Sequence, residues 1–263
     1  MAYIRLQYKS KVLVRGVTVD VLLPEDGAVG EERTPPFKTL YFLPGYSADS
    51  TELVTLLGLR RQVELKGIAV VIPSGDNFFY IDKPEINMNY SSFIKELVSV
   101  TRTLLPLSPE REDTYIGGIS MGGYGALRNG KIYEDIFSKV MAMSPAVDCY
   151  RLLAESECPD FSEATFKMLF ESKEKYYENN TNLTKLYCGS PLKQEVCIGC
   201  GKQDALVIAP IRELVEETKK ANVPLRYFEI EGNHDIDTWE DMLDEMFSFL
   251  ADVDAGTKNQ MRI

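Results

Sequence analysis

The sequence predicts an α/β fold: a mostly parallel, twisted sheet with helices on both faces. Three observations predict it. Apolar runs such as "IAVVIP" (68–73) and "KVMAM" (139–143) alternate with amphipathic stretches, as when crossover helices bury strands on both faces. The 263 residues, 44% hydrophobic and 26% charged, suit one soluble domain spanning 1–263. No repeat or low-complexity segment interrupts the alternation.

In chain order, "YIRLQYKS" and "VLVRGVTVDVLLP" alternate only partly between apolar and polar residues, so they read as antiparallel or edge strands. A polar loop, "EDGAVGEERTPP", leads to the strand "KTLYFLPG". One helix is expected through "STELVTLLGLRRQVELKG". Then come the strand "IAVVIPSG", the helix "SSFIKELVSVTRTLL", the strand "TYIGGIS", the helix "MGGYGALRNGKIY" and the strand "KVMAMSPAV". Residues 149–192 break the rhythm and are too long for a plain connection, so they read as a small helical cap over one end of the sheet. The strand "EVCIGC", the helix "APIRELVEETKKAN", the strand "LRYFEI" and the helix "TWEDMLDEMFSFLAD" complete the chain.

A net charge of −11 repels phosphate backbones and anionic lipid, which argues against nucleic-acid and membrane partners. The start, "MAYIRLQYKSKV", lacks an apolar signal core and no later run is long enough to span a bilayer, so a cytoplasmic enzyme is expected. The five cysteines do not read as a disulfide scaffold. Cys197 and Cys200 of "CIGC" lie three apart on a strand and so point to opposite faces, as core residues rather than a metal or redox pair. The sequons at Asn89 and Asn182 would need a secretory route that this reading does not supply. No metal or cofactor is expected.

In open α/β sheets ligands bind at the carboxyl ends of the strands. At one such end stands "GISMG", with Ser120 between a strand and a helix. On a sharp strand-to-helix turn, side chains at 118 and 122 would collide, and Gly118 and Gly122 remove that collision. A serine hydroxyl needs an adjacent base to act as a nucleophile. His234, the one histidine, follows the last strand in "EGNHD", and an imidazole ordinarily titrates near about 6.5. Asp237 and Glu240 are spaced like a capping box for the helix that follows. Asp204, after "EVCIGC", is the acid expected to orient His234, and Asp148, after "MSPAV", is its rival. The order Ser120, Asp204, His234 is that of α/β-hydrolases. The oxyanion donors are expected at the backbone N–H groups of Met121 and Tyr46, with Gly45 allowing close approach. Asn77, Phe78, Phe79 and Tyr80, in "GDNFFYID", follow another strand; they read equally as substrate-pocket wall and as core packing.

The segments "REDTYIGGISMGGYGAL", "LPGYSADSTEL", "PSGDNFFY", "CGKQD" and "EGNHD" together resemble the tributyrin-esterase-like branch of the esterase D family. Carbohydrate esterases and S-formylglutathione hydrolases are its relatives. The resemblance covers nearly the whole chain. It implies a serine carboxylesterase for short acyl chains, with Ser120, Asp204 and His234 as triad and Tyr46 and Met121 as oxyanion donors. It also implies a small-molecule ester substrate, an acylated sugar being one candidate, and a homo-oligomeric assembly. Feruloyl or acetylxylan-type esters and S-formylglutathione-type thioesters are the alternatives. Two departures stand out: Pro44-Gly45 replaces the family's usual His-Gly, and Trp239 alone remains of a tryptophan-rich stretch after the histidine. Acyl transfer to another acceptor, or a binding protein on a hydrolase fold, are the remaining readings.

Overall fold

The structure is a computed structural model and describes residues 1–25 and 34–256. Residues 26–33, the larger part of the expected polar loop, lie outside the described residues. Strands β1 (Ala2–Ser10), β2 (Arg15–Leu23), β3 (Lys38–Leu43) and β4 (Ile68–Pro73) build half of the sheet. Helices α1 (Ser50–Leu56) and α2 (Leu59–Lys66) connect β3 to β4. A short hairpin, β5 (Asp82–Lys83) and β6 (Met88–Asn89), precedes α3 (Tyr90–Leu104). Then follow β7 (Thr114–Ile119), α4 (Met121–Ile132) and β8 (Lys139–Met143). After a π-helical turn at Arg151–Glu155 come α5 (Glu163–Phe170), α6 (Lys173–Glu178) and α7 (Leu183–Cys188). The chain ends with β9 (Glu195–Gly201), α8 (Ile208–Lys220), β10 (Arg226–Ile230) and α9 (Ile236–Ala251).

The eight long strands form one sheet in the order β1-β2-β4-β3-β7-β8-β9-β10. Only β2 runs against its neighbours. The half-exposed alternation of β1 belongs to an edge strand with one wet face, whereas β4 and β7 are buried throughout. Successive residues of β3 face opposite layers. Tyr41 and Leu43 pack toward α3, α4 and the helices after β8; Leu40 and Phe42 pack toward α1, α2 and α9. Cys200 and Cys197 divide the same way, and burial pushes both thiols up to about 12, which suits inert core residues.

Three sequence expectations are corrected. The helix expected over 50–67 breaks at Leu57–Gly58, where the Gly58 N–H donates to Glu240 Oε2 at 2.6 Å. Glu240 therefore does not cap its own helix. The cap of α9 is Asp235, whose side chain accepts from the Thr238 N–H at 2.9 Å. The strand expected over 139–147 stops at Met143, because Ser144 takes a φ of 43°.

Candidate active site

Because the strands are parallel, the ends of β3, β7, β9 and β10 meet at one rim. Ser120 sits there between β7 and α4 with φ 54° and ψ −114°, a conformation costly for a residue with a Cβ. The neighbours over-determine it. Ser120 N–H donates to Met143 O at 2.9 Å, and its carbonyl accepts from Tyr124 and Ala146, both at 3.0 Å. A Cβ on Gly122 would stand 1.9 Å from Leu43 O, and one on Gly118 2.5 Å from the Gly122 carbonyl carbon. Both obstacles are backbone, so the two glycines are steric requirements of the elbow. Gly45 is different: a Cβ there would meet only ordinary contacts of 3.5–3.6 Å, so its expected steric role is corrected.

His234 Nε2 lies 2.9 Å from Ser120 Oγ, and its Nδ1 lies 2.7 Å from Asp204 Oδ2. Asp204 is fully buried, and its other oxygen accepts from the N–H groups of Leu206 and Val207 at 3.2 Å each. One carboxyl oxygen is thus held by backbone and the other faces the imidazole. The loops bearing acid and base are tied together. Gln203 N–H donates to Gly232 O at 2.9 Å, and Gly232 N–H donates back to Gln203 Oε1 at 2.6 Å. Gly232 is required here: its φ is 144°, and a Cβ would press on Thr238 Oγ1. Trp239 meets the imidazole edge-on at 5.1 Å. Asp148, the rival acid, is engaged elsewhere. It accepts from the N–H groups of Tyr150 and Arg151 and from Tyr177 Oη, and it pairs with the Arg151 guanidinium at 3.4 Å.

The two expected oxyanion donors stand at this rim. Met121 N–H is the first amide of α4, with no carbonyl of its own helix to bond and at the positive end of the helix dipole. Tyr46 follows Gly45, and Gly45 lines the same cavity as Ser120. Two groups of the loop after β4 hold this turn. Tyr80 Oη donates to Pro44 O at 2.9 Å, and Ser47 N–H donates to Asn77 Oδ1 at 2.6 Å. Burial raises the Tyr80 phenol well above its ordinary 10, so it stays a donor. That loop is itself strained, with positive φ at Asp76, Asn77, Phe79 and Tyr80.

Ser120 and His234 open on a cavity of about 420 Å³. Its walls come from the β3–α1 turn (Gly45 to Ala48), α1 (Glu52, Leu53), the region after β8 (Cys158, Asp160, Phe161) and the start of α9 (Asp235, Ile236, Trp239). Asn77 and Phe78 are not among its lining residues. Asn77 Oδ1 accepts from the Ser47 N–H in the turn after β3 and Phe78 stacks on Tyr90 at 5.6 Å, so the packing alternative describes them better than a substrate wall. Sequence reasoning missed Glu52, Asp160 and Phe161, which no motif marks, and also Gln203, whose role depends on reach across the fold. Tyr80, a candidate for the pocket wall, is not among the lining residues and donates to Pro44 O instead. Among the described residues no cluster of His, Cys, Asp and Glu is placed to hold a metal ion.

The sequence profile of the Esterase family matches residues 10–250. The chain belongs to that family. This esterase is 31% identical to an acetyl esterase of Caldicellulosiruptor saccharolyticus, over 96% of this chain and 99% of that protein. Its fold superposes on the substrate-bound fluorophosphonate-binding serine hydrolase F of Staphylococcus aureus with a TM-score of 0.83 and 26% identity, covering 95% of this chain and 98% of that one. It superposes on the S-formylglutathione hydrolase apoenzyme of the same organism with a TM-score of 0.81, 25% identity and the same coverage. The esterase has the α/β-hydrolase fold and is a carboxylic ester hydrolase.

Proposed function

We propose that the esterase hydrolyses short-chain acyl esters, acetyl esters foremost, through an acyl-enzyme on Ser120. Ser120 Oγ attacks the ester carbonyl while His234 Nε2 takes its proton. Asp204 Oδ2 accepts from Nδ1–H, which holds the reactive tautomer and favours the imidazolium. The N–H groups of Met121 and Tyr46 meet the negative oxygen of the tetrahedral adduct. His234 returns the proton to the departing alcohol. It then deprotonates a water that cleaves the acyl-serine, giving the carboxylic acid and free Ser120.

The observation that carries the reading is the continuous pair of contacts, 2.9 Å from Ser120 to His234 and 2.7 Å from His234 to Asp204. The acetyl esterase relative supports the acyl group. Residues 149–192 act as a cap, since Cys158, Asp160 and Phe161 of that stretch wall the cavity. The five free thiols suit the reducing cytoplasm, and among the described residues no helix is long and apolar enough to cross a membrane. An acylated sugar as substrate and a homo-oligomeric assembly are carried by the family resemblance. A thioester of the formylglutathione kind is the second reading, favoured by likeness to the Staphylococcus aureus hydrolase.

The test is turnover of p-nitrophenyl acetate together with labelling by a fluorophosphonate. Ser120→Ala is expected to lose labelling and at least about a thousandfold in kcat. Undiminished hydrolysis by that variant would end the proposal.

A further inference from the structure

We infer that Glu52 and Asp160 make this site select uncharged and cationic esters and reject anionic ones. The inference rests on the esterase reading and narrows its substrate class. The cavity carries carboxyl groups from three separate elements: Glu52 on α1, Asp160 after the π-helical turn and Asp235 at the start of α9. No lysine or arginine is among its lining residues. Asp235 is occupied by the N–H and hydroxyl of Thr238, at 2.9 and 2.7 Å. Glu52 and Asp160 are exposed, and among the described residues neither forms an ion pair. Arg5, which reaches Thr51 beside Glu52, has its guanidinium in a two-pronged pair with Asp20, both contacts at 2.9 Å.

Apart from Ser47, Cys158, Ser120 and His234, the rest of the wall is apolar or aromatic, including Leu53, Phe161 and Trp239. Charge of one sign over low-dielectric walls focuses its field into the opening, and the net charge of −11 adds to it. A substrate carboxylate entering here loses hydration and meets no cation. Rejection by unpaired like charge discriminates without any dedicated contact. Hydroxyl-rich, uncharged leaving groups, such as neutral sugars, enter without that cost. A glutathione thioester, with two carboxylates and one ammonium, pays it. The site thus favours a neutral acylated alcohol over the formylglutathione alternative.

The test uses three acetates of one shape and different charge: acetylcholine, 3,3-dimethylbutyl acetate and 4-acetoxy-2,2-dimethylbutanoate. At about 0.02 M salt, kcat/KM is expected to fall in that order, with roughly tenfold or more between cation and anion. At about 0.5 M salt the spread should shrink severalfold, because the rim charges are screened. In Glu52→Gln/Asp160→Asn the low-salt ratio should likewise shrink, whatever happens to the neutral rate. Equal kcat/KM for the three acetates, or a ratio untouched by the double substitution, overturns the inference and leaves the esterase reading standing. Cleavage of p-nitrophenyl acetate but of none of the three overturns the inference alone, and failure on p-nitrophenyl acetate as well overturns both.

Discussion

Tyr80→Phe removes a single oxygen from a ring that is fully buried and wedged between Gly75 and Gly125. That oxygen donates to Pro44 O at 2.9 Å, and Pro44 leads into the turn that carries the Tyr46 amide, the proposed second donor to the adduct. The substitution leaves a buried carbonyl without this partner, which costs about 1–3 kcal/mol of folding stability. The effect on chemistry has an upper bound: removing an oxyanion donor outright costs about a hundredfold to a thousandfold in kcat. The second grip, Ser47 N–H on Asn77 Oδ1 at 2.6 Å, survives in the variant, so the turn is loosened rather than lost. We expect about a tenfold fall in kcat for p-nitrophenyl acetate with KM little changed, since the donor acts on the adduct more than on the ester. Urea unfolding and steady-state kinetics on the same preparation measure both quantities. Full kcat beside a clear stability loss would refute the reasoning and make Tyr80 a core residue with no hold on the site.

Gly122→Ala should destabilise the protein by about 3 kcal/mol or more and abolish activity, because its methyl meets Leu43 backbone that has nowhere to go; a thermal melt checks this. Asp204→Asn should cut kcat by about ten-thousandfold, whereas Asp148→Asn should change it less than about threefold, a contrast that kinetics of both variants resolves. Arg212 and Tyr227 hold the Glu229 carboxyl down at about 2 from an ordinary 4.5. Its contribution to stability is therefore complete above the ordinary value and fades as pH falls from there toward 2. Glu229→Gln should accordingly be less stable than wild type at about pH 5 but differ less at about pH 2, as urea midpoints would reveal.

Much of this was legible from local pattern. The apolar runs of β4, β7, β8 and β9 name a buried parallel sheet, and the strand–Ser120–helix junction flanked by Gly118 and Gly122 names its own steric purpose. The contact of Ser120 with His234 and of His234 with Asp204 was legible because His234 has no competitor and Asp204 follows a strand in the chain order Ser120, Asp204, His234. What escaped depends on distance in the chain. The break at Gly58 is completed by Glu240, 182 residues away, and no window around Gly58 contains that partner. The same reach misled the capping assignment, since Glu240 was spaced correctly for a role that Asp235 and Thr238 fill. The grip of Asn77 and Tyr80 escaped because it requires a run of positive φ in non-glycine residues, which composition does not announce.

The staple between Gln203 and Gly232 has a dynamic consequence. It couples the loop after β9 to the loop after β10, and β10 is the outermost strand of the sheet. Peeling of that margin would carry the imidazole away from the nucleophile while the serine elbow, four strands inward from the other boundary, keeps its shape. Warming should therefore silence turnover before the bulk of the helical signal melts, and cooling should restore it without full refolding.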